Sequence, residues 1–230
     1  MNSTGELLNG NSYPGRGIVA GTTPSGKAVF AYFIMGRSAN SKNRVFVKSE
    51  DGITIYPFDE TKVEDPSLII YSPVRRIGST LIVTNGDQTD TIYEFLERGG
   101  SFEGALETRT FEPDAPNFTP RISAVIDGNG FKMSILKSLN ASGTAAGRFT
   151  YAFEKEPGVG RFIHTYVGDG KPLPSFSGEP ELVFIPDDLD EFTRDIWENL
   201  DPDNKISLYT GLMDFVTGKE ENRLINKYNK

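Results

Sequence analysis

The chain has 230 residues, 37% of them apolar and 11% aromatic, which is material for a sizeable core and excludes an intrinsically disordered class. It has no cysteine, so a disulfide framework, a thiolate metal site and a cysteine nucleophile are excluded together, and its net charge of −8 argues against a nucleic-acid partner. No stretch approaches the ~18 apolar residues of a membrane helix, and residues 1–10 have neither a basic nor an apolar signal region, so a cytoplasmic protein with no membrane partner is expected.

Residues 1–12 are polar and read as a flexible N-terminus, leaving 13–230 as a single domain. Tyr13-Pro-Gly-Arg-Gly17 turns into a short strand over 18–22, Thr23-Pro-Ser-Gly-Lys27 is a hairpin turn, and 28–35 is the returning strand. That strand delivers Gly36, Arg37 and Ser38, then Ser41, Asn43 and Arg44, a loop suited to an anion. Positive charge is concentrated around it: residues 1–50 hold Arg16, Lys27, Arg37, Lys42, Arg44 and Lys48 against Glu6 and Glu50. Chance scatter explains this as readily as a small phosphorylated ligand does. Strands over 44–49 and 53–57 flank a second hairpin signal at Glu50-Asp-Gly52.

An acidic connection over 58–67 precedes strands over 68–74 and 79–84. Asp87 or Thr89 caps a helix carrying Ile92, Phe95 and Leu96 on one face; Gly99-Gly100 stops it, and a short helix over 102–106 follows. Proline-rich 111–120 crosses to strands over 121–126 and 131–136 around Asp127-Gly-Asn-Gly130. Strands over 148–153 and 160–166 come next, and then 168–180, rich in glycine and proline and the best candidate for a mobile flap. A strand over 182–185 and a helix from Asp187 or Asp188 to Leu200 precede 206–215, which reads as either a strand or a helix, and an amphipathic tail. Strands in hairpin runs with helices in blocks make the fold class α+β rather than doubly wound.

Familiar catalytic motifs are absent: there is no GxGxxG, P-loop, HExxH or GxSxG. The single histidine, His164, sits in a strand pattern and reads as a hydrogen-bonded strand residue before a base or a ligand. Asp201-Pro-Asp-Asn-Lys205 lacks the glycine and closing glutamate of a calcium loop and reads as a turn after a helix. What remains is a set of polar groups at strand ends: Arg16, Arg37, Ser38, Arg44, Tyr71, Arg75, Asn85, Asp87, Glu112 and Arg121. Singly, each has a plainer account as a solvated charge, a turn residue or a core tyrosine.

In order along the chain they resemble something specific. Tyr13-Pro-Gly-Arg16, Gly36-Arg37-Ser38, Ile70-Tyr71 before a Val-Arg pair, Val83-Thr-Asn-Gly86 before Gln88-Thr-Asp90, and Thr119-Pro-Arg-Ile122 are similar to the archaeal-type IMP cyclohydrolase family. The similarity covers residues 13–127, about half of the chain. It implies a four-layer αββα sandwich resembling the N-terminal-nucleophile hydrolases, without autoprocessing. It also implies ring closure of 5-formamidoimidazole-4-carboxamide ribotide (FAICAR) to inosine monophosphate (IMP) with loss of water, the last step of de novo purine biosynthesis. Because amide and formyl group share one ring, attack is intramolecular and positioning removes much of the barrier. No cofactor or metal is then expected; the partner is the nucleotide, and a homo-oligomer is left open.

On this resemblance Arg16 and Arg37, helped by Arg44, hold the ribose phosphate, with Ser38 and Arg121 as further binding residues. Tyr71 orients the formyl group and donates a proton to its oxygen, Glu112 accepts the amide proton, and Asn85 binds the carboxamide or the developing oxyanion. Gln88 stands where the pattern has histidine. One alternative is a non-catalytic purine-nucleotide or phosphometabolite-binding regulatory protein, which needs the arginines but neither Tyr71 nor Glu112. Another is an amide hydrolase, which would need Ser3 or Thr4 exposed as an N-terminal nucleophile.

Overall fold

The structure, a computed structural model, describes residues 1–62 and 70–228. Helix α1 (Thr4–Leu8) leads into β1 (Arg16–Thr22) and β2 (Ala28–Met35), a hairpin whose turn is closed by the Thr23 N–H on the Lys27 carbonyl at 2.8 Å. A four-residue helix α2 (Ala39–Lys42) separates them from the hairpin β3 (Val45–Ser49) and β4 (Gly52–Tyr56). Then come β5 (Val74–Ile77), β6 (Thr80–Thr84), α3 (Gln88–Glu97), α4 (Phe102–Glu107) and the hairpin β7 (Arg121–Asp127) and β8 (Gly130–Ser138). The chain continues as β9 (Ala146–Glu154), β10 (Val159–His164), β11 (Glu181–Phe184), α5 (Leu189–Asn199), β12 (Lys205–Met213) and β13 (Glu220–Asn226).

These strands form two sheets with antiparallel ladders throughout, a six-stranded one ordered β11-β10-β1-β2-β12-β13 and a seven-stranded one ordered β3-β4-β5-β6-β7-β8-β9. The protein is α+β, as its alternation of hairpins and helix blocks predicts. Period-2 alternation decides what faces what. Ile18, Ala20, Phe30, Tyr32 and Ile34 of the first sheet pack against Phe46, Ile53, Val83, Ile122, Ala124 and Met133 of the second. The other face of the first sheet, with Val19, Ala31 and Phe33, is covered by Leu8 of α1 and by Phe192 and Ile196 of α5. On the outer face of the second sheet, Ile82 and Leu136 meet Ile92 of α3 and Phe102, Ala105 and Leu106 of α4. β2 is buried on both faces along its whole length, which is why its sequence is an unbroken apolar run.

Several expectations are corrected. Residues 1–12 are not simply frayed: Ser3 and Glu6 form a capping box on α1, Leu8 is buried, and Asp195 of α5 accepts hydrogen bonds from Ser3 and Gly5. Of the strand expected over 68–74 and the connection before it, 63–69 lie outside the described residues; pairing starts at Val74, after Pro73, which has no N–H to give to a ladder. In 168–180, the glycine- and proline-rich candidate flap, Leu173 and Phe176 are buried, and the Phe176 N–H donates to the Thr165 carbonyl at 2.9 Å. The ambiguous 206–215 stretch is β12, central in its sheet, and the tail is β13. Asp201 caps the turn after α5 as expected, accepting from the N–H groups of Asp203 and Asn204 at 3.1 and 3.0 Å.

Candidate functional site

Arg16 opens β1 on the same face as Ile18 and therefore points between the sheets. Its approach is set by Gly15, whose φ of +82° suits glycine and whose missing Cβ would otherwise meet Thr165 Oγ1 at 2.2 Å. The Arg16 N–H donates to that hydroxyl at 3.1 Å and its carbonyl accepts the Thr165 N–H at 3.0 Å. Arg44, two residues before Phe46, enters the same space from the second sheet. The Nε atoms of both arginines are buried and have no hydrogen-bond partner among the described residues.

The two guanidiniums differ in electrostatics. Burial pushes Arg44 below its ordinary value and the charge of Arg16 adds to that, against the pull of Tyr71, Tyr32 and Glu112. For Arg16, burial alone would lower it as well, but Glu112, Tyr71, Tyr166 and Tyr13 outweigh burial and raise it. Glu112 thus faces both cations, while its carboxylate makes no hydrogen bond or ion pair among the described residues. It is carried by a tight loop: its N–H donates to the Thr119 carbonyl at 2.9 Å, and Asp114 accepts from the N–H and hydroxyl of Thr119 at 2.6 and 2.5 Å.

Tyr71 lies just before β5, and its carbonyl accepts the Ile55 N–H at 2.9 Å. Its hydroxyl donates to the backbone carbonyl of Asn85 at 2.8 Å and, with that proton committed, accepts from Tyr32 at 3.3 Å. Burial drives the Tyr32 hydroxyl well above its ordinary value, so it stays a donor. In this arrangement the Tyr71 O–H is given to the Asn85 carbonyl, and its free lone pair is an acceptor.

The Asn85 side chain is engaged by the strands on either side of it. It is 1% exposed; its Oδ1 accepts from Ile122 N–H at 2.9 Å and Gln88 Nε2 at 3.0 Å, and its Nδ2 donates to the Pro120 carbonyl at 2.8 Å. The side chain splices the end of β6 to the start of β7, and the group it offers the site is its backbone carbonyl. Gln88 completes the splice, donating to the Ile122 carbonyl at 3.2 Å and accepting from Arg121 at 2.7 Å.

Arg121 does not join the arginine pair. It alternates with Ile122, which faces the intersheet core, and so points to the helix-covered face, where it pairs with Asp87 at 2.6 Å. Arg109 holds the same Asp87 at 2.5 Å. Ser38 is exposed and caps α2 through Ser41. Arg75 is tied to Asp51 and Asp90 and stacks over Tyr93 at 3.8 Å. Arg37 lies 4.9 Å above the ring of Tyr13, paired with Asp169 and donating to the Gly170 carbonyl at 3.1 Å. Tyr13 in turn stacks on Tyr166 at 5.9 Å. His164 donates from Nδ1 to the Tyr166 carbonyl at 2.7 Å and contacts Glu181 at 3.1 Å, a strand residue as its pattern suggests.

Among the expected residues the fold thus gathers Arg16, Arg44, Tyr71 and Glu112, with Asn85 behind Tyr71 and Arg37 over Tyr13. It leaves Ser38 and Arg121 elsewhere. It adds Tyr32, which sequence reasoning missed because a tyrosine in an apolar strand is indistinguishable from core. A cavity of about 510 Å³ bordered by Leu96, Phe102, Phe131 and Lys132 is lined by none of the expected site residues.

An α+β protein with two guanidiniums and a carboxylate that are unpaired among the described residues, and a tyrosine pair between its sheets, is a candidate anion-binding enzyme. Residues 13–219 match the family described as IMP cyclohydrolase-like protein, and the chain belongs to that family. It is 34% identical over 123 residues to the IMP cyclohydrolase of Methanopyrus kandleri, a stretch that is 52% of this chain and 61% of that protein. It is 35% identical over 120 residues to that of Methanocaldococcus jannaschii (51% and 58%), and 31% over 121 residues to that of Methanococcus aeolicus (51% and 59%). The matched stretch thus spans about three fifths of the relatives' own length.

Proposed function

We propose that the protein is an IMP cyclohydrolase, closing FAICAR to IMP with loss of water on a four-layer αββα sandwich of the N-terminal-nucleophile hydrolase type. Residues 13–230 act as one catalytic unit, since the site draws on both sheets, and the enzyme works in the cytoplasm on a free nucleotide. The observation that carries this reading is the pair of buried Nε donors on Arg16 and Arg44, which have no hydrogen-bond partner among the described residues and share the single carboxylate of Glu112 at longer range. Two such cations are relieved by a dianion, which a ribose phosphate supplies. Ser3 is spent on the α1 cap and on Asp195, which disfavours the amide-hydrolase alternative.

With the phosphate on the arginines, the ring lies toward Tyr71 and Glu112. Tyr71 uses its free lone pair to hold the carboxamide N–H, turning the nitrogen toward the formyl carbon. Glu112 takes a proton from that nitrogen as the C–N bond forms and returns it to the former formyl oxygen. The resulting hydroxyl leaves as water with the proton of the formamide nitrogen, completing the C=N bond. One carboxylate serves as acceptor and then donor, so the net reaction loses only water.

Incubation with FAICAR, following IMP by chromatography, tests the reading: IMP should form far above the uncatalysed rate. IMP binding without turnover would reject catalysis in favour of the regulatory alternative, and no binding would reject both.

A further inference from the structure

We propose that β9 is the pairing edge of a two-fold symmetric dimer, in which the strand lies antiparallel to its own copy about an axis through Tyr151. The four sheet edges of the described residues are not equally protected. β3 is short and bridged by Asn226, whose Oδ1 accepts the Phe46 N–H and whose Nδ2 donates to the Phe46 carbonyl, both at 2.9 Å. β11 has four residues and is joined by Asn2 through a bridge to Val183. β13 carries Glu220, Glu221 and Arg223. β9 has nine residues, pairs only with β8, contains no proline, and has no charge between Arg148 and Glu154. An edge of that length without a guard is a template for another strand.

The sequence of β9 selects its own copy as that strand. Antiparallel pairing centred on Tyr151 sets Arg148 opposite the partner's Glu154, Phe149 opposite the partner's Phe153 and Thr150 opposite the partner's Ala152. Centring on Thr150 sets Arg148 opposite the partner's Ala152 and Glu154 opposite the partner's Ala146; centring on Ala152 sets Glu154 opposite the partner's Thr150 and carries Arg148 past the end of β9, opposite the partner's Glu156. Alternation puts Arg148 and Glu154 on one face, so the pair meets twice, once on each side of the axis. Both groups have capacity to spare. Arg148 uses Nε and Nη2 on the carbonyls of Leu106 and Arg109, which fixes it at the edge and leaves Nη1 free; the Glu154 carboxylate has no partner among the described residues. On the opposite face Phe149 is 39% exposed, apolar surface that the partner's Phe153 would cover. The dimer joins two seven-stranded sheets into one.

Sedimentation of the full chain across the micromolar range should give a dimer. Glu154→Arg and Arg148→Glu should each weaken it at least ~tenfold by opposing like charges, with melting curves reporting that each variant folds. Mixing the two variants should restore dimers, because each supplies the charge the other lacks. Tyr151→Cys adds the chain's only thiol at a position facing itself, and paired residues on antiparallel strands lie within disulfide reach. Mild oxidation should link that variant into covalent dimers, whereas Ala141→Cys, on an exposed loop, should stay unlinked. A monomeric wild type, a dimer indifferent to Glu154→Arg, or equal linking of the two cysteine variants would overturn the proposal.

Discussion

Asn85→Ala separates a residue that binds substrate from one that holds two strands together. The substitution removes the acceptor of the Ile122 N–H and the donor to the Pro120 carbonyl, both buried beside a side chain that is 1% exposed. Gln88 keeps the Ile122 carbonyl, so its loss is partial. Orphaning one buried backbone group costs ~1–3 kcal/mol, and two such groups put the total at roughly 2–6 kcal/mol. In a chain of this size each kcal/mol moves Tm by about 2–4 °C, so a fall of roughly 4–24 °C is expected. Urea unfolding followed by circular dichroism reads the same loss as a lower midpoint at unchanged slope. A loss below ~1 kcal/mol together with a clear drop in IMP affinity would refute the splice and return the side chain to the ligand.

Arg44→Met removes a charge that is lowered by burial and repelled by Arg16, so the unliganded protein should be as stable or more stable, by up to about 2 kcal/mol. IMP affinity measured by calorimetry should fall at least ~tenfold, and sulfate, which should raise the Tm of the wild type, should raise that of the variant far less. Asp169→Ala frees Arg37 from its competing carboxylate and should tighten phosphate binding a few-fold; weaker binding would mean that Asp169 orients Arg37 instead. Alkaline stability follows from Tyr166, which burial raises from 10.0 to about 12 despite the opposing charge of Arg16. The folded protein holds that proton longer than the unfolded chain, so the contribution is intact below pH 10 and is lost as pH rises toward 12, by ~2–3 kcal/mol. Urea midpoints across that window should fall, and Tyr166→Phe should flatten the slope.

The hairpins were legible because their signals are local. Thr23-Pro-Ser-Gly-Lys27 and Asp127-Gly-Asn-Gly130 need only a few residues to specify a turn, and both turns stand where they were expected. β12 was ambiguous because Ile206-Ser-Leu-Tyr-Thr-Gly-Leu-Met213 has weak strand propensity, and its pairing with β2 and β13 decides the conformation. Residues 1–12 were misread for a related reason: a five-residue helix has little stability alone, and it is Asp195, far along the chain, that holds it.

The site divides along the same line. Arg16 and Arg44 could be named because a guanidinium at a strand end is conspicuous, but Arg121 looked identical and proved to face the helices, a difference that one step of strand register decides. Tyr32 and Tyr71 show the opposite failure. Tyr71 stands out by resemblance and Tyr32 does not, yet what their hydroxyls can do depends on which proton is already committed, and the Asn85 carbonyl decides that. That carbonyl is held by a side chain whose partners lie 35 and 37 residues away. A motif can therefore name the acid or the base, but the direction of each hydrogen bond is a property of the assembled sheets. For the same reason the unpaired Nε atoms of Arg16 and Arg44 weigh more than any motif: elsewhere the fold ties Arg37, Arg75, Arg109 and Arg121 to carboxylates in ion pairs, whereas between the sheets the one nearby carboxylate, Glu112, acts on both arginines and pairs with neither among the described residues.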